Sequence, residues 1–166
     1  MMNAVVISLF ATIFPFYSGA ATCLKNCQLS ESDLYFTRRE EGCVATVYKD
    51  SGGNDTIGCG HLLKTGESFI FLTPGQQERL LETDMQSVVK AINISDKRPL
   101  KQNEVIAIAD LLYNVGTGDK QAFFKRVNAK NNPGFNLYEY ARIGGQERKL
   151  KGLETRRQAE AQLYAL

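Results

Sequence analysis

Five of the fourteen glycines in this chain fall between Gly42 and Gly60, immediately after a stretch with helical spacing. Glycines so placed mark a backbone that needs positive φ or close approach to another group. On their N-terminal side, Ser30-Glu31-Ser32-Asp33 has the form of an N-cap opening a helix that runs to Glu41, and Gly42 is placed as the left-handed residue that ends it. Val44, Thr46 and Tyr48 then alternate with Ala45 and Val47 as a strand would, and Asp50-Ser51-Gly52-Gly53-Asn54-Asp55 is dense in turn formers. A return strand from Thr56 to Cys59 closes a hairpin. The chain therefore has to hand a helix over to a short β element.

The rest of the pattern is helical. After Thr73, with Pro74 at the first helical position, Leu81, Met85, Val88 and Ile92 recur at the spacing of a long amphipathic helix. Val105, Ile108, Ala109 and Leu112 mark another, ending near Gly116. Shorter helices are expected at Gln121 to Ala129 and at Asn136 to Ala141, and a last one from about Leu153 to the C-terminus. One β interruption among helices makes the class α+β. With 166 residues, 43% hydrophobic and 23% charged, the chain fits one globular domain, which at this length buries roughly 68–70% of its unfolded surface. The aliphatic stripes read as core, so no cofactor is expected. A net charge of +2 is too mild for a nucleic-acid binder, though it favours weak attraction to anionic polymers such as bacterial wall.

Met1 to Leu24 carries no charged side chain; its apolar part, about Val5 to Phe16, is interrupted by Pro15 and followed by Ser18-Gly19-Ala20-Ala21. Residues 1–21 have the form of a signal peptide with a small-residue cleavage site near Ala20 or Ala21, although no Lys or Arg precedes the apolar run. A stretch of about 20 residues also suffices to span a bilayer uncleaved, so membrane contact is expected only if this segment is retained. Lipid modification of Cys23 fits poorly, because Ala20-Ala21-Thr22 departs from the lipoprotein pattern. A secreted protein, extracellular or periplasmic, is expected, with residues 22–29 as a cysteine-containing tail and 30–166 as the catalytic domain. Cys23, Cys27, Cys43 and Cys59 are an even number in an exported chain, which points to two disulfides. Three connectivities are open, among them Cys23 with Cys27 and Cys43 with Cys59, or cross-pairing of the tail onto the hairpin; buried free thiols are the alternative. No metal site is expected, since the spacings are not those of a zinc site and the only histidine is His61.

Glu41 ends a helix, and Asp50 follows nine residues later across the glycine-rich hairpin. Two carboxyl groups on either side of a cleft are what hydrolysis of a glycosidic bond requires. An acidic group at a helix C-terminus is disfavoured by a few tenths to about 1 kcal/mol when exposed. Repulsion from Glu40 and any burial add to this and raise the Glu41 pKa, as a general acid needs, while Arg38 and Arg39 pull the other way. Asp50 has a second reading as an Asx-turn residue capping the hairpin. Thr56 offers a hydroxyl that, turned into a cleft, holds a water; threonine is also common in strands for steric reasons alone.

The string Leu29-Ser30-Glu31, Arg38-Arg39-Glu40-Glu41-Gly42, Tyr48-Lys49-Asp50 and Thr56-Ile57-Gly58-Cys59-Gly60-His61 resembles the phage-type lysozymes, or endolysins, of glycoside hydrolase family 24. Gln102-Asn103, Leu112-Tyr113-Asn114-Val115-Gly116-Thr117-Gly118, Gly144-Gly145 and Gly152-Leu153-Glu154-Thr155-Arg156-Arg157-Gln158-Ala159-Glu160 extend the likeness in the family's order. The resemblance implies a two-lobed α+β fold, with a small β-hairpin lobe and a larger helical lobe around a groove for bacterial peptidoglycan. It implies that Glu41 protonates the leaving oxygen, that Asp50 and Thr56 activate or position the attacking water with inversion, and that His61, Asn114 and Arg156 support the cleft. Arg156 would face the acid, with Arg157 the alternative by one position; His61 has a second reading as a structural histidine satisfied by a carboxylate. Cys59, Cys43 and Glu40 depart from the family's usual residues. A Cys43–Cys59 bond would stiffen the hairpin lobe beside the catalytic residues.

Three functions follow as expectations. The first is a monomeric muramidase cutting the β-1,4 bond between N-acetylmuramic acid and N-acetylglucosamine. The second is an inactive lysozyme-like protein that binds wall glycan, against which the retained carboxylates speak. The third is a disulfide-held secreted inhibitor or structural protein, for which only the cysteines speak. Export predicts a mature N-terminus near Ala21, Thr22 or Cys23 in the mass spectrum of the cell-produced protein; an intact Met1 would mean retention as an anchor.

Overall fold

A computed structural model describes residues 22–50, 52–118, 120–130 and 151–166. The signal or anchor segment 1–21 and the expected helix at Asn136 to Ala141 lie outside the described residues. Among those described, the order is β1 (Thr22–Cys23), α1 (Glu31–Glu41), β2 (Val44–Lys49), β3 (Asp55–Gly58), β4 (His61–Leu62), α2 (Pro74–Ser95), β5 (Leu100–Lys101), α3 (Gln102–Val115), α4 (Gln121–Asn128) and α5 (Lys151–Tyr164). None of these helices is long and apolar enough to cross a membrane.

α1 starts where the capping residues place it, with the Ser30 N–H donating to the Asp33 carboxylate at 2.7 Å. It stops at Gly42, whose φ of +65° carries the chain out of the helix. β2, β3 and β4 form an antiparallel three-stranded sheet in that order, the small lobe. Tyr48 pairs with Thr56, which pairs with Leu62, so the three share one face of the sheet. The sequence reading stopped at two strands; the third, His61–Leu62, is too short to show a period.

The larger lobe is built around α3, in which every side chain from Asn103 to Leu112 is buried. A helix with no exposed face over that length is a core helix. α2 lays Leu81, Met85, Val88 and Ile92 against it, and α5 packs on another side. Arg98 staples the periphery: it donates to Glu104 at 2.6 Å, to the Val127 carbonyl at 2.6 Å and to the Tyr164 hydroxyl at 2.7 Å.

Residues 22–29, expected as a tail, are bound into this lobe. β1 pairs antiparallel with β5, Thr22 opposite Lys101 and Cys23 opposite Leu100. Asn93 holds the Cys27 backbone at both ends, accepting from its N–H at 2.7 Å and donating to its carbonyl at 3.0 Å. Cys27 itself sits in the core.

The disulfides are Cys23–Cys27 and Cys43–Cys59, one of the connectivities left open by the sequence. The second spans 16 residues and joins the start of β2 to the turn after β3. Closing a loop of that length removes about 3 kcal/mol of unfolded-state entropy. Replacing Cys43 and Cys59 together by serine is expected to lower the denaturant-unfolding free energy by about that amount, and thiol labelling of the folded, non-reduced protein is expected to modify no cysteine.

Candidate active site

The last residue of α1 meets the hairpin turn and two helices of the larger lobe. The Glu41 side chain is only 18% exposed and accepts a hydrogen bond from Arg156 Nη1 at 2.7 Å. Its other oxygen rests on Gly60: a Cβ added there would lie 3.1 Å from Glu41 Oε2. Gly60 has φ +92°, so both its conformation and its contact with the carboxyl call for glycine. Burial is the leading influence on Glu41 and raises its pKa; the Arg156 charge and hydrogen bond pull it back, Asp110 adds to the rise and Arg157 opposes it. The net shift is upward. The neighbours that matter come from α3 and α5, whereas the sequence reading looked to Arg38, Arg39 and Glu40 beside it. Arg38 and Arg39 are turned to other carboxylates, Arg38 to Glu78 and Arg39 to Glu40.

Behind Glu41 lies a buried charge cluster. Arg156 forks onto Asp110, Nε to Oδ2 and Nη2 to Oδ1, both at 2.9 Å. Burial opposes the charge of Arg156, but Asp110 and Glu41 outweigh it and hold the guanidinium charged more firmly than usual. Asp110 is fully buried, which disfavours its charge, yet Arg156 prevails and keeps its pKa below the ordinary value. Arg157 donates to the Asn114 side-chain carbonyl at 2.9 Å and lies 2.9 Å from Glu160, whose carboxyl is raised well above the usual range by burial and then by Asp110. Of the two arginines, Arg156 is the one on Glu41.

Asp50 sits at the end of β2 and is a turn residue in full: its Oδ1 accepts from the Gly52 and Asn54 N–H groups at 2.9 and 2.8 Å. The backbone bond from Asn54, then its side-chain amide, hold the carboxyl below its ordinary pKa. Thr56 is buried, and its hydroxyl donates to the Asn54 carbonyl at 3.3 Å. The hydroxyl thus braces the turn that presents Asp50. Tyr48 of β2 senses both carboxylates: its phenol pKa is raised by partial burial first and then by the charges of Glu41 and Asp50.

His61, 3% exposed, has Nδ1 2.7 Å from Asp84 and Nε2 2.9 Å from Glu67. Both ring nitrogens are taken by carboxylates, so the ring bridges β4, the loop at Glu67 and α2, the structural alternative considered for it. Glu67 is in turn held below its ordinary pKa by the Lys64 N–H and by His61. No group of His, Cys, Asp and Glu suited to hold a metal occurs among the described residues.

The structure therefore gathers Glu41, Arg156 and Asn114 around one buried cluster, sets Asp50 and Thr56 together on the hairpin, and uses His61 as a strut. Sequence reasoning missed Asp110, and it quoted Tyr48, Tyr113 and Glu160 only within a strand pattern or the resemblance, without a role in the site. Asp110 had a signal: it is the lone charge within the apolar run Val105 to Leu112, and a charge inside a core helix demands a buried partner.

A family model described as phage lysozyme matches residues 38–160. An endolysin of Acyrthosiphon pisum secondary endosymbiont phage 1 is 32% identical over 144 residues, covering 82% of this chain and 97% of that protein. A SAR-endolysin of Enterobacteria phage P21 is 30% identical over 130 residues, covering 74% of this chain and 76% of the relative. Among solved structures, an endolysin from Escherichia coli O157:H7 phage FAHEc1 superposes with a TM-score of 0.73 at 32% identity, over 84% of this chain and 94% of that one.

The seat of Glu41 yields a direct test. Gly60→Ala forces a side chain into left-handed backbone, at about 1–2 kcal/mol, and pushes on the Glu41 carboxyl. Lower stability in denaturant and a larger proportional loss of activity are expected; an unaltered turnover would mean that Glu41 does not depend on this contact.

Proposed function

Because this chain belongs to the phage lysozyme family, we propose that it cuts the β-1,4 bond between N-acetylmuramic acid and N-acetylglucosamine, with inversion at the anomeric carbon. It is a lysozyme-type glycoside hydrolase that degrades peptidoglycan. The observation that carries the finer reading is the state of Glu41: a mostly buried carboxyl with a raised pKa, resting on glycine backbone and touching a guanidinium.

In this reading Glu41 delivers its proton to the glycosidic oxygen as the bond to the sugar breaks. The carboxylate that results is left 2.7 Å from Arg156, so the charge that develops during the reaction meets a fixed partner in a dry setting. Burial keeps the proton on Glu41 beforehand, and Arg156 eases its departure. Asp50, held ionised by its turn, takes a proton from the water that attacks the opposite face of the sugar. Thr56 serves by fixing Asn54, which in turn fixes Asp50. Asn114 and Arg157 hold the far side of the cluster.

Residues 30–166 carry the chemistry, with 22–29 as a brace. The groups invoked come from α1, the hairpin, α3 and α5 of one chain, so a monomer suffices. The wall substrate lies outside the cytoplasm, and a SAR-endolysin among the relatives is compatible with export of this chain.

The pH dependence follows from the two shifts. Glu41 must be protonated and has a raised pKa, so activity persists above the ordinary carboxylate range and is lost as pH rises through its folded value. Asp50 must be ionised and has a lowered pKa, so activity is lost at the acidic end only below the ordinary range. On purified peptidoglycan, Glu41→Gln is expected to reduce turnover by about 10² to 10⁴, with NMR of the parent reaction showing the α anomer as first product. Unchanged turnover in that variant, or a parent that binds the glycan without releasing muramic-acid reducing ends, would overturn the reading.

A further inference from the structure

Tyr113 stands in the last turn of α3, beyond the helix's fully buried run. Its hydroxyl crosses to the smaller lobe and donates to the Cys59 carbonyl at 3.0 Å. Cys59 and Gly60 form the turn between β3 and β4, and Cys59 is also joined to Cys43, two residues beyond Glu41. Built on Gly60, a Cβ would lie 3.4 Å from Tyr113 Cε1 and 3.1 Å from Glu41 Oε2. The Tyr113 ring edge and the Glu41 carboxyl therefore meet over the same face of Gly60.

We propose that Tyr113 is a positioning residue for the acid: its hydroxyl pins the turn on which the Glu41 carboxyl rests, and its ring keeps water from that carboxyl. The inference rests on the reading of Glu41 as the proton donor. The two parts of the side chain act differently. The hydroxyl governs geometry, because its hydrogen bond joins the backbone of the hairpin turn to α3. The ring governs hydration, because burial is the leading cause of the raised Glu41 pKa and low-dielectric surroundings disfavour the charged carboxylate. The charged groups near Glu41 are Arg156 and Arg157 from α5 and Asp110 from α3, with Tyr48 of β2 sensing its charge. Asp84 of α2 lies on the Tyr113 side. Those charges remain when Tyr113 is replaced, so a change in Glu41 titration would report the ring.

The test uses the full chain carrying Tyr113→Phe or Tyr113→Leu, assayed on purified peptidoglycan across pH. Thermal unfolding of each variant fixes the folded fraction. Tyr113→Phe keeps the ring and frees the Cys59 carbonyl: kcat per folded molecule is expected to fall roughly tenfold, the effect of a small misplacement of a catalytic group, with KM and the alkaline limb unmoved. Tyr113→Leu also lets water reach Glu41, so its pKa falls and the alkaline limb moves to lower pH by about one unit. Carbon-detected NMR titration of the Glu41 carboxyl supplies the same comparison without activity. A merely structural role would lower the melting temperature and leave the limb in place. The proposal is overturned by a Phe variant with parental kcat or a Leu variant whose Glu41 titrates as in the parent. If Glu41→Gln remains active, the acid assignment itself has failed; if that variant is inactive while the Tyr113 variants match the parent, only this inference has.

Discussion

The Arg156 guanidinium holds two carboxylates at once, Asp110 through a fork and Glu41 through its remaining amino group. Asp110 is buried in the middle of the core helix and cannot be solvated, so the fork settles where Arg156 lies before Glu41 is considered. Glu41 then meets a cation whose orientation another residue has fixed. That division of labour suits the proton-donor role proposed for Glu41: a lone arginine would pull its pKa down, whereas one already shared with Asp110 leaves burial as the larger influence. Removing Asp110 would leave a buried guanidinium half-paired, and breaking a buried pair on one side is among the more costly changes a core can suffer.

The hairpin lobe reaches this cluster through a short piece of backbone. Gly58 and Gly60 take positive φ on either side of Cys59, and the turn they make is tied in three directions. The disulfide runs back to the foot of α1, the Tyr113 hydroxyl comes from α3, and His61, the next residue, binds Asp84 on α2. Each tie fastens the small lobe to a different part of the chain. Glu41 rests on the one glycine in the middle of them, so the rigidity of the turn is passed to the acid by contact. Asp50 is held by other means, the hydrogen bonds of its own turn, so the two carboxylates are positioned independently.

Much of the architecture was legible because local chemistry enforces it. The Ser30–Asp33 cap, the Gly42 stop, the turn formers Asp50, Gly52, Gly53 and Asn54, and Pro74 after Thr73 act within a few residues and occur where the pattern placed them, while the return strand begins one residue early, at Asp55, and ends at Gly58, leaving Cys59 in the turn. Very short strands escaped, because β1, β4 and β5 have two residues each, too few to show a period, and β1 and β5 pair with each other from distant parts of the chain. Docking of residues 22–29 escaped for the same reason: it depends on Asn93 and on β5.

The sequence by itself determined the class and the family likeness, since period, caps and motif order are properties of neighbours along a chain. Tertiary structure alone decided that Arg156 and not Arg157 is hydrogen-bonded to Glu41, how the four cysteines pair, that His61 lies between two carboxylates, and that Thr56 braces a turn. It also decided the cause of the Glu41 shift. A pKa in a folded protein reflects burial and charges brought together from helices α3 and α5, more than sixty residues further along the chain, and no local pattern encodes that distance in space.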